Sequence, residues 1–191
     1  EADGFSNTND PPRFAIAERA IKQVLHALRS LAKSWQPILT RTAFLAAMGR
    51  LVEFVLMRIL DYVEDLEDIS EVESEKLALL YKMLGPLEEI FVDEATQVSP
   101  MLLIAKLNRS NMESFSIRQQ TSVALFVPSW FKASYLSEIL TGSLVDIEFL
   151  YFEAGALVDY SKSELTKLIK ALFSDTPNRA KLLHRIETTP M

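Results

Sequence analysis

The patterned stretches of this chain repeat their apolar residues at spacings of three and four, the period of an α-helix. The closing stretch, Tyr160 to Ile186, carries the pattern most clearly. Leu165, Leu168, Ile169, Leu172 and Phe173 fall at i, i+3, i+4, i+7 and i+8, one helical face wide enough to pack into a core. Ser161 followed by Glu164 is a capping-box pattern, in which each side chain satisfies a free N–H of the first turn. Asp175-Thr176-Pro177 closes that helix and opens another. Thr176 suits the N-cap, and Pro177 suits the first helical position, which needs no donor. No reactive group is presented, so the segment is built to pack.

The same period organises the rest of the chain. Residues 1–12, ending Asp10-Pro11-Pro12, read as a flexible polar lead-in. A helix is expected from Arg13 until Pro37 forces a break, with Phe14, Ala17, Ile21, Val24, Leu28, Leu31 and Trp35 inward. A second, over 39–66, runs through Phe44, Met48, Leu51, Val52, Val55, Leu56, Ile59, Leu60 and Val63, with Arg50, Glu53, Arg58 and Asp61 on its wetter side. Ser70 and Glu73 form another capping box, opening a helix through Val72, Leu79, Leu80, Met83 and Leu84. Gly85-Pro86 implies either a cap followed by a new helix or a kink. Over 93–122 a short helix at Met101–Leu107 and an exposed loop at Asn108–Ser122 are expected. Val123 to Pro128 reads as an extended approach, with room for one short strand. One helix from Ser129 to Ala154 then ends at Gly155. The fold class is all-α: a bundle of six to seven helices over 13–188, with a tail at 189–191 and no significant sheet.

Composition excludes much chemistry. With no cysteine, thiol catalysis, disulfides and thiolate metal sites all fall away. His26 and His184, the only histidines, have no companion at ligand spacing, so no metal is expected. The acid-rich run from Asp61 to Glu75 lacks the glycine a calcium loop requires and reads as a solvated helix end. No nucleophile elbow or glycine-rich phosphate loop occurs, so neither catalysis nor a cofactor is expected. No apolar run reaches the length of a membrane span. The chain opens at Glu1 without Met and is expected to be part of something longer.

Net charge is −6, but it is segregated. Residues 13–58 carry eight Lys/Arg against two acids, residues 61–94 twelve acids against two Lys, and residues 161–187 six Lys/Arg against three acids. Such blocks either solvate outer faces or steer assembly. The basic segments are too sparse, and too poor in interleaved aromatics, for nucleic acid. Trp130, after Pro128 at a helix entry, serves either core packing or an interface, and Trp35 poses the same choice. Arg179 falls on the apolar face with Leu182, Leu183 and Ile186. Either its stem packs while the guanidinium reaches water, or it pairs with a carboxylate from the acidic block.

Three blocks in fixed order resemble the C-terminal region of the zeste white ten family, the large subunits of Dsl-type tethering complexes in the CATCHR group. They are Leu66-Glu67-Asp68-Ile69-Ser70, Val127-Pro128-x-Trp130, and the closing stretch. In the last, Ser161, Glu164 and Leu165 lead to Leu168-Ile169, Ala171-Leu172-Phe173, Thr176, Arg179-Ala180, Leu183 and Ile186. The spacing agrees from about residue 50 to 188, while 93–122 is longer here and 1–49 is alike only in being helical. The resemblance implies stacked helical bundles and a cytoplasmic place on the endoplasmic reticulum membrane. There the complex captures retrograde, coatomer-coated vesicles and engages SNARE proteins. It further implies that this region docks on a helical-solenoid subunit, with SNARE and coatomer contacts made elsewhere in the complex. No acidic-tryptophan coatomer-binding loop is recognisable here. In animals the family also serves the kinetochore beside Rod and Zwilch. The expected interface is the basic outer face of the closing helices: Lys167, Lys170, Lys181 and Arg185. A different reading has those helices bind acidic lipid peripherally.

Overall fold

The computed structural model describes residues 5–91 and 123–189. Among them are seven α-helices, one 3-10 helix and no strand. In chain order they are α1 (Pro11–Trp35), α2 (Arg41–Glu64), α3 (Glu71–Lys82), the 3-10 helix (Gly85–Ile90), α4 (Trp130–Thr141), α5 (Leu144–Phe152), α6 (Lys162–Leu172) and α7 (Pro177–Thr188). The all-α class read from the sequence is the class observed. The expectations for Met101–Leu107 and Asn108–Ser122 lie outside the described residues.

The core is built around α2, which touches α1, α4, α6 and the 3-10 helix. Met48, Val52 and Leu56 on α2 have no exposed surface and Leu60 almost none. The α1 stripe also falls as the period demands, with Ala17, Ile21, Leu28 and Ala32 buried. The helix starts at Pro11, where a proline costs no hydrogen bond. Ahead of it the turn of residues 5–10 sets Phe5 edge-on to Tyr62, with ring centroids 6.1 Å apart, and buries Thr8. That part of the expected lead-in is packed against the bundle.

Three expectations need correction. Val72 and Leu79 are exposed, whereas α3 buries Ser74, Leu77, Ala78 and Leu80. The reason is steric: Ser74 and Ala78, one turn apart, let α4 approach closely, and the Ser74 hydroxyl donates to the Leu140 carbonyl at 2.5 Å. Residues 123–127 form a helical turn, not an extended strand, with Phe126 and Val127 both donating to the Val123 carbonyl. The helix expected over Ser129–Ala154 is two. Gly142 is extended, and Ser143 starts α5 with a capping box of its own, in which Asp146 accepts from the Ser143 N–H at 2.8 Å. That bond and the Ser143 hydroxyl hold the Asp146 carboxyl below its ordinary range. The apolar pattern continues through Leu144 and Ile147, which hid the break. Gly155 does end α5, at φ +59° in the left-handed region that glycine enters without strain. At Gly85-Pro86 the chain restarts as the 3-10 helix, with Pro86 in its first turn.

Candidate functional site

The closing hairpin forms as its capping chemistry requires. Ser161 accepts from the Glu164 N–H, and Glu164 Oε2 accepts from the Ser161 N–H at 2.8 Å. Thr176 accepts from the Arg179 N–H at 3.2 Å, with Pro177 at the first position of α7. Leu165, Leu168, Ile169, Leu182 and Ile186 are buried. The backbone N–H of Ile69 donates to the Ala171 carbonyl at 2.9 Å, which fastens the α2–α3 corner to the end of α6.

Arg179 takes a role that neither sequence account foresaw. Its Nη1 donates to the Phe173 carbonyl and, at 3.3 Å, to the Lys170 carbonyl, the free acceptors at the end of α6. Its carboxylate partner is the exposed Asp175, at 2.8 Å, rather than a residue of the acidic block. The side chain is only 15% exposed, so the stem packs but the head does not escape to water. At the other end of the hairpin Lys162 donates to the carbonyls of Glu187, at 3.1 Å, and Thr189. A cation thus closes each helix C-terminus, where the helix dipole favours it. Arg179→Ala is expected to lower stability by about 1–2 kcal/mol, or roughly 2–8 °C in melting temperature for a chain this size. Lys181→Ala should leave it nearly unchanged. Equal thermal melts of the two variants would contradict the capping role.

Lys167, Lys170, Lys181 and Arg185 are all exposed. Arg185 is nonetheless engaged: it pairs with Glu148 of α5 and lies 4.1 Å over the Phe152 ring. The other three have no acidic partner among the described residues. Trp130 is buried, which settles it as core, while Trp35 is half-buried. His26 and His184 are exposed, and no metal-binding cluster occurs among the described residues.

Sequence reasoning missed the charged node beneath this hairpin. Lys132 Nζ lies 3.0 Å from Glu64 Oε1 and 3.0 Å from Glu164 Oε1, joining α2, α4 and α6. Burial pulls the Lys132 pKa down, but hydrogen bonds and charge from Glu164 and Glu64 outweigh it and raise the group above its ordinary value. Burial raises Glu64, and Lys132 only partly offsets that. Burial also opposes ionisation of Glu164, but the Ser161 N–H and Lys132 prevail and lower it. Glu164 is therefore both cap and ion-pair partner, one oxygen for each task. Glu53 was missed similarly. Expected on a wet face, it is half-buried and accepts from the N–H of Ser129 at 3.0 Å and from its hydroxyl at 2.5 Å, holding the entry to α4. The partners lie 68 residues apart for Lys132 and Glu64, 32 for Lys132 and Glu164, and 76 for Ser129 and Glu53, all beyond the reach of local spacing.

The sequence pattern of the ZW10 C-terminal helical domain matches residues 19–186. The chain belongs to the ZW10 family. The match reaches further upstream than the motif resemblance did, into α1. Relatives named centromere/kinetochore protein zw10 homolog align with 97% of this chain, at 31% identity over 188 residues in Rattus norvegicus and 29% over 191 in Arabidopsis thaliana. The Drosophila melanogaster centromere/kinetochore protein zw10 is 26% identical over 170 residues, 88% of this chain. The chain spans only 22%, 23% and 20% of those three ZW10 proteins, about a fifth of their length. No helix among the described residues is long and apolar enough to cross a membrane.

Proposed function

We propose that this chain is a non-enzymatic module of a multisubunit tether at the cytoplasmic face of the endoplasmic reticulum, working on coatomer-coated vesicles that return from the Golgi. It docks through its helical domain on a helical-solenoid subunit of the same complex, while SNARE and coatomer contacts fall to other parts. The observation that carries this reading is the closing hairpin. Cations lock it at both ends, and Lys167, Lys170 and Lys181 face outward with no acidic partner among the described residues. A rigid surface with uncommitted charge suits recognition, in which complementary potentials set partner choice and encounter rate.

A second reading, a scaffold at the kinetochore, is favoured by the names of the relatives, each a centromere/kinetochore protein. One design addresses both. The wild-type chain as bait is expected to recover a large helical-solenoid protein, and Lys167→Glu/Lys170→Glu/Lys181→Glu about tenfold less, since like charge now opposes docking. Recovery of other partners with no solenoid protein would defeat the tether reading. A tagged chain should mark the endoplasmic reticulum in interphase; kinetochore staining in mitosis without it would favour the second reading. Salt-sensitive flotation with phosphatidylserine liposomes, lost in the triple variant, would instead assign the lysines to lipid.

A further inference from the structure

At the opposite end of the charge pattern, α1 and α2 pack as an antiparallel hairpin and leave an open groove of about 250 Å³ on one side. Its walls are almost wholly apolar, formed by Phe5, Ile21, Val24, Phe54, Val55 and Ile59. Phe54 is 67% exposed, and Ile16, Met57 and Tyr62 are exposed as well. An apolar floor with a large exposed ring at its edge is the usual mark of an interaction surface.

Charge indicates what fills it. Arg50, Phe54 and Arg58 recur every four residues and so stand in one column along α2, all exposed. Over 13–58 there are only two acids, and both are engaged within the chain: Glu18 in an exposed surface pair with Lys22 at 2.8 Å, and Glu53 on Ser129. Arg19 and Arg50 have no acidic partner among the described residues. Arg58 is held 5.1 Å over the Tyr62 ring and gives one hydrogen bond, at 3.1 Å, to its hydroxyl, leaving most of its five donors unused. The surface is an apolar trough with an arginine either side of its aromatic rim.

We infer that the groove between α1 and α2 is the docking site for an acidic amphipathic helix of another protein. A helix laid along two antiparallel helices puts apolar anchors, spaced i, i+3 or i+4, and i+7, into the trough. Carboxylates on its flank then meet Arg50 and Arg58. A second copy of the chain fits poorly, because a two-fold contact would bring the same arginines together. A membrane fits poorly too, since the apolar wall is concave where insertion needs a protruding one. The inference does not rest on the tether reading.

The test uses two synthetic amphipathic helices with the same leucine face, one with glutamates on its polar flanks and one with lysines, and fluorescence anisotropy against the 191-residue chain. The glutamate helix should bind at least about tenfold tighter than the lysine helix, and weaken with added salt. Phe54→Ser should weaken it about tenfold while leaving the thermal melt unchanged, because the ring is mostly in water. Arg50→Glu/Arg58→Glu should invert the preference towards the lysine helix, an outcome misfolding cannot imitate. Equal binding of the two helices, or binding of neither, would overturn the inference. So would tighter, Phe54-dependent capture by phosphatidylserine vesicles, or a concentration-dependent dimer that Phe54→Ser abolishes.

Discussion

Gly49→Ala is expected to destabilise this protein by about 1–3 kcal/mol, the range for forcing an extra methyl group into a packed site. The sign runs against ordinary helix energetics. Gly49 lies well inside α2, where alanine normally gains roughly 0.5–1 kcal/mol over glycine. Here a Cβ would sit 2.4 Å from the Phe126 carbonyl oxygen and 2.8 Å from the Phe126 Cβ, distances that force the neighbour to move. The neighbour is backbone, so no rotamer change relieves it. It is also a segment with little freedom: Val123 and Val127 are completely buried, and the chain then passes Pro128 to Ser129, which Glu53 holds one turn further along α2. Met57 Sδ, another turn on, lies 3.0 Å from the Ser129 hydroxyl. Gly49, Glu53 and Met57 thus form one column that receives residues 126–129. Two measurements decide it. Urea unfolding should place Gly49→Ala below wild type, and the double variant Gly49→Ala/Glu53→Ala should lose less than the sum of the two single penalties, since both release the same segment. A variant as stable as wild type would mean that the approach to α4 is not seated on α2.

What the sequence revealed, and what it concealed, divides along chain distance. Ser161 and Glu164, Thr176 and Pro177, and Ser70 and Glu73 act within one helical turn, and each is found in the role its spacing predicts. The α1 and α2 stripes face inward as their period predicts, because one face of a long helix must be apolar to be buried. The errors arose where a partner far along the chain overrode the local pattern. Reading α3 by its largest side chains picked Leu79, yet the face that α4 covers is set by the small Ser74 and Ala78. An apolar pattern that keeps its helical spacing across 129–154 conceals Gly142 and the second cap at Ser143. Of the expected interface, Lys167, Lys170 and Lys181 have no acidic partner among the described residues, while Arg185 is drawn onto Glu148 and Phe152 by α5 packing beside α7. Lys132 gave no local signal at all, because both its carboxylates arrive from other helices.

Lys132→Met is accordingly the substitution expected to cost most, about 2–4 kcal/mol at neutral pH. That is below the roughly 3–5 kcal/mol for breaking a fully buried pair, because Glu164 keeps a third of its surface in water. Without the ammonium, Glu64 and Glu164 face each other across a site where Lys132 and Glu64 are only 13% and 12% exposed. The pH dependence separates this from simple loss of packing. The Glu64 pKa is raised already, so its folded form resists ionisation and stability falls as pH climbs through the carboxylate range. Removing Lys132 enlarges that effect, so the penalty should shrink as pH is lowered from about 7 to about 5 and Glu64 takes up a proton. On the alkaline side the signs agree for three groups. Lys132 is raised above 10.5, and burial raises Tyr81 and Tyr160 above 10.0, so near and above those values the unfolded chain loses protons the folded chain keeps. Their stabilisation is whole below about pH 10 and drains away above it, by up to about 1.4 kcal/mol per pH unit for each proton. Urea midpoints between pH 9 and 11.5 should therefore fall steeply in wild type, and less steeply in Lys132→Met and in Tyr81→Phe. A Lys132→Met penalty that stays constant from pH 5 to 11 would show that the lysine acts through its stem and not through its charge.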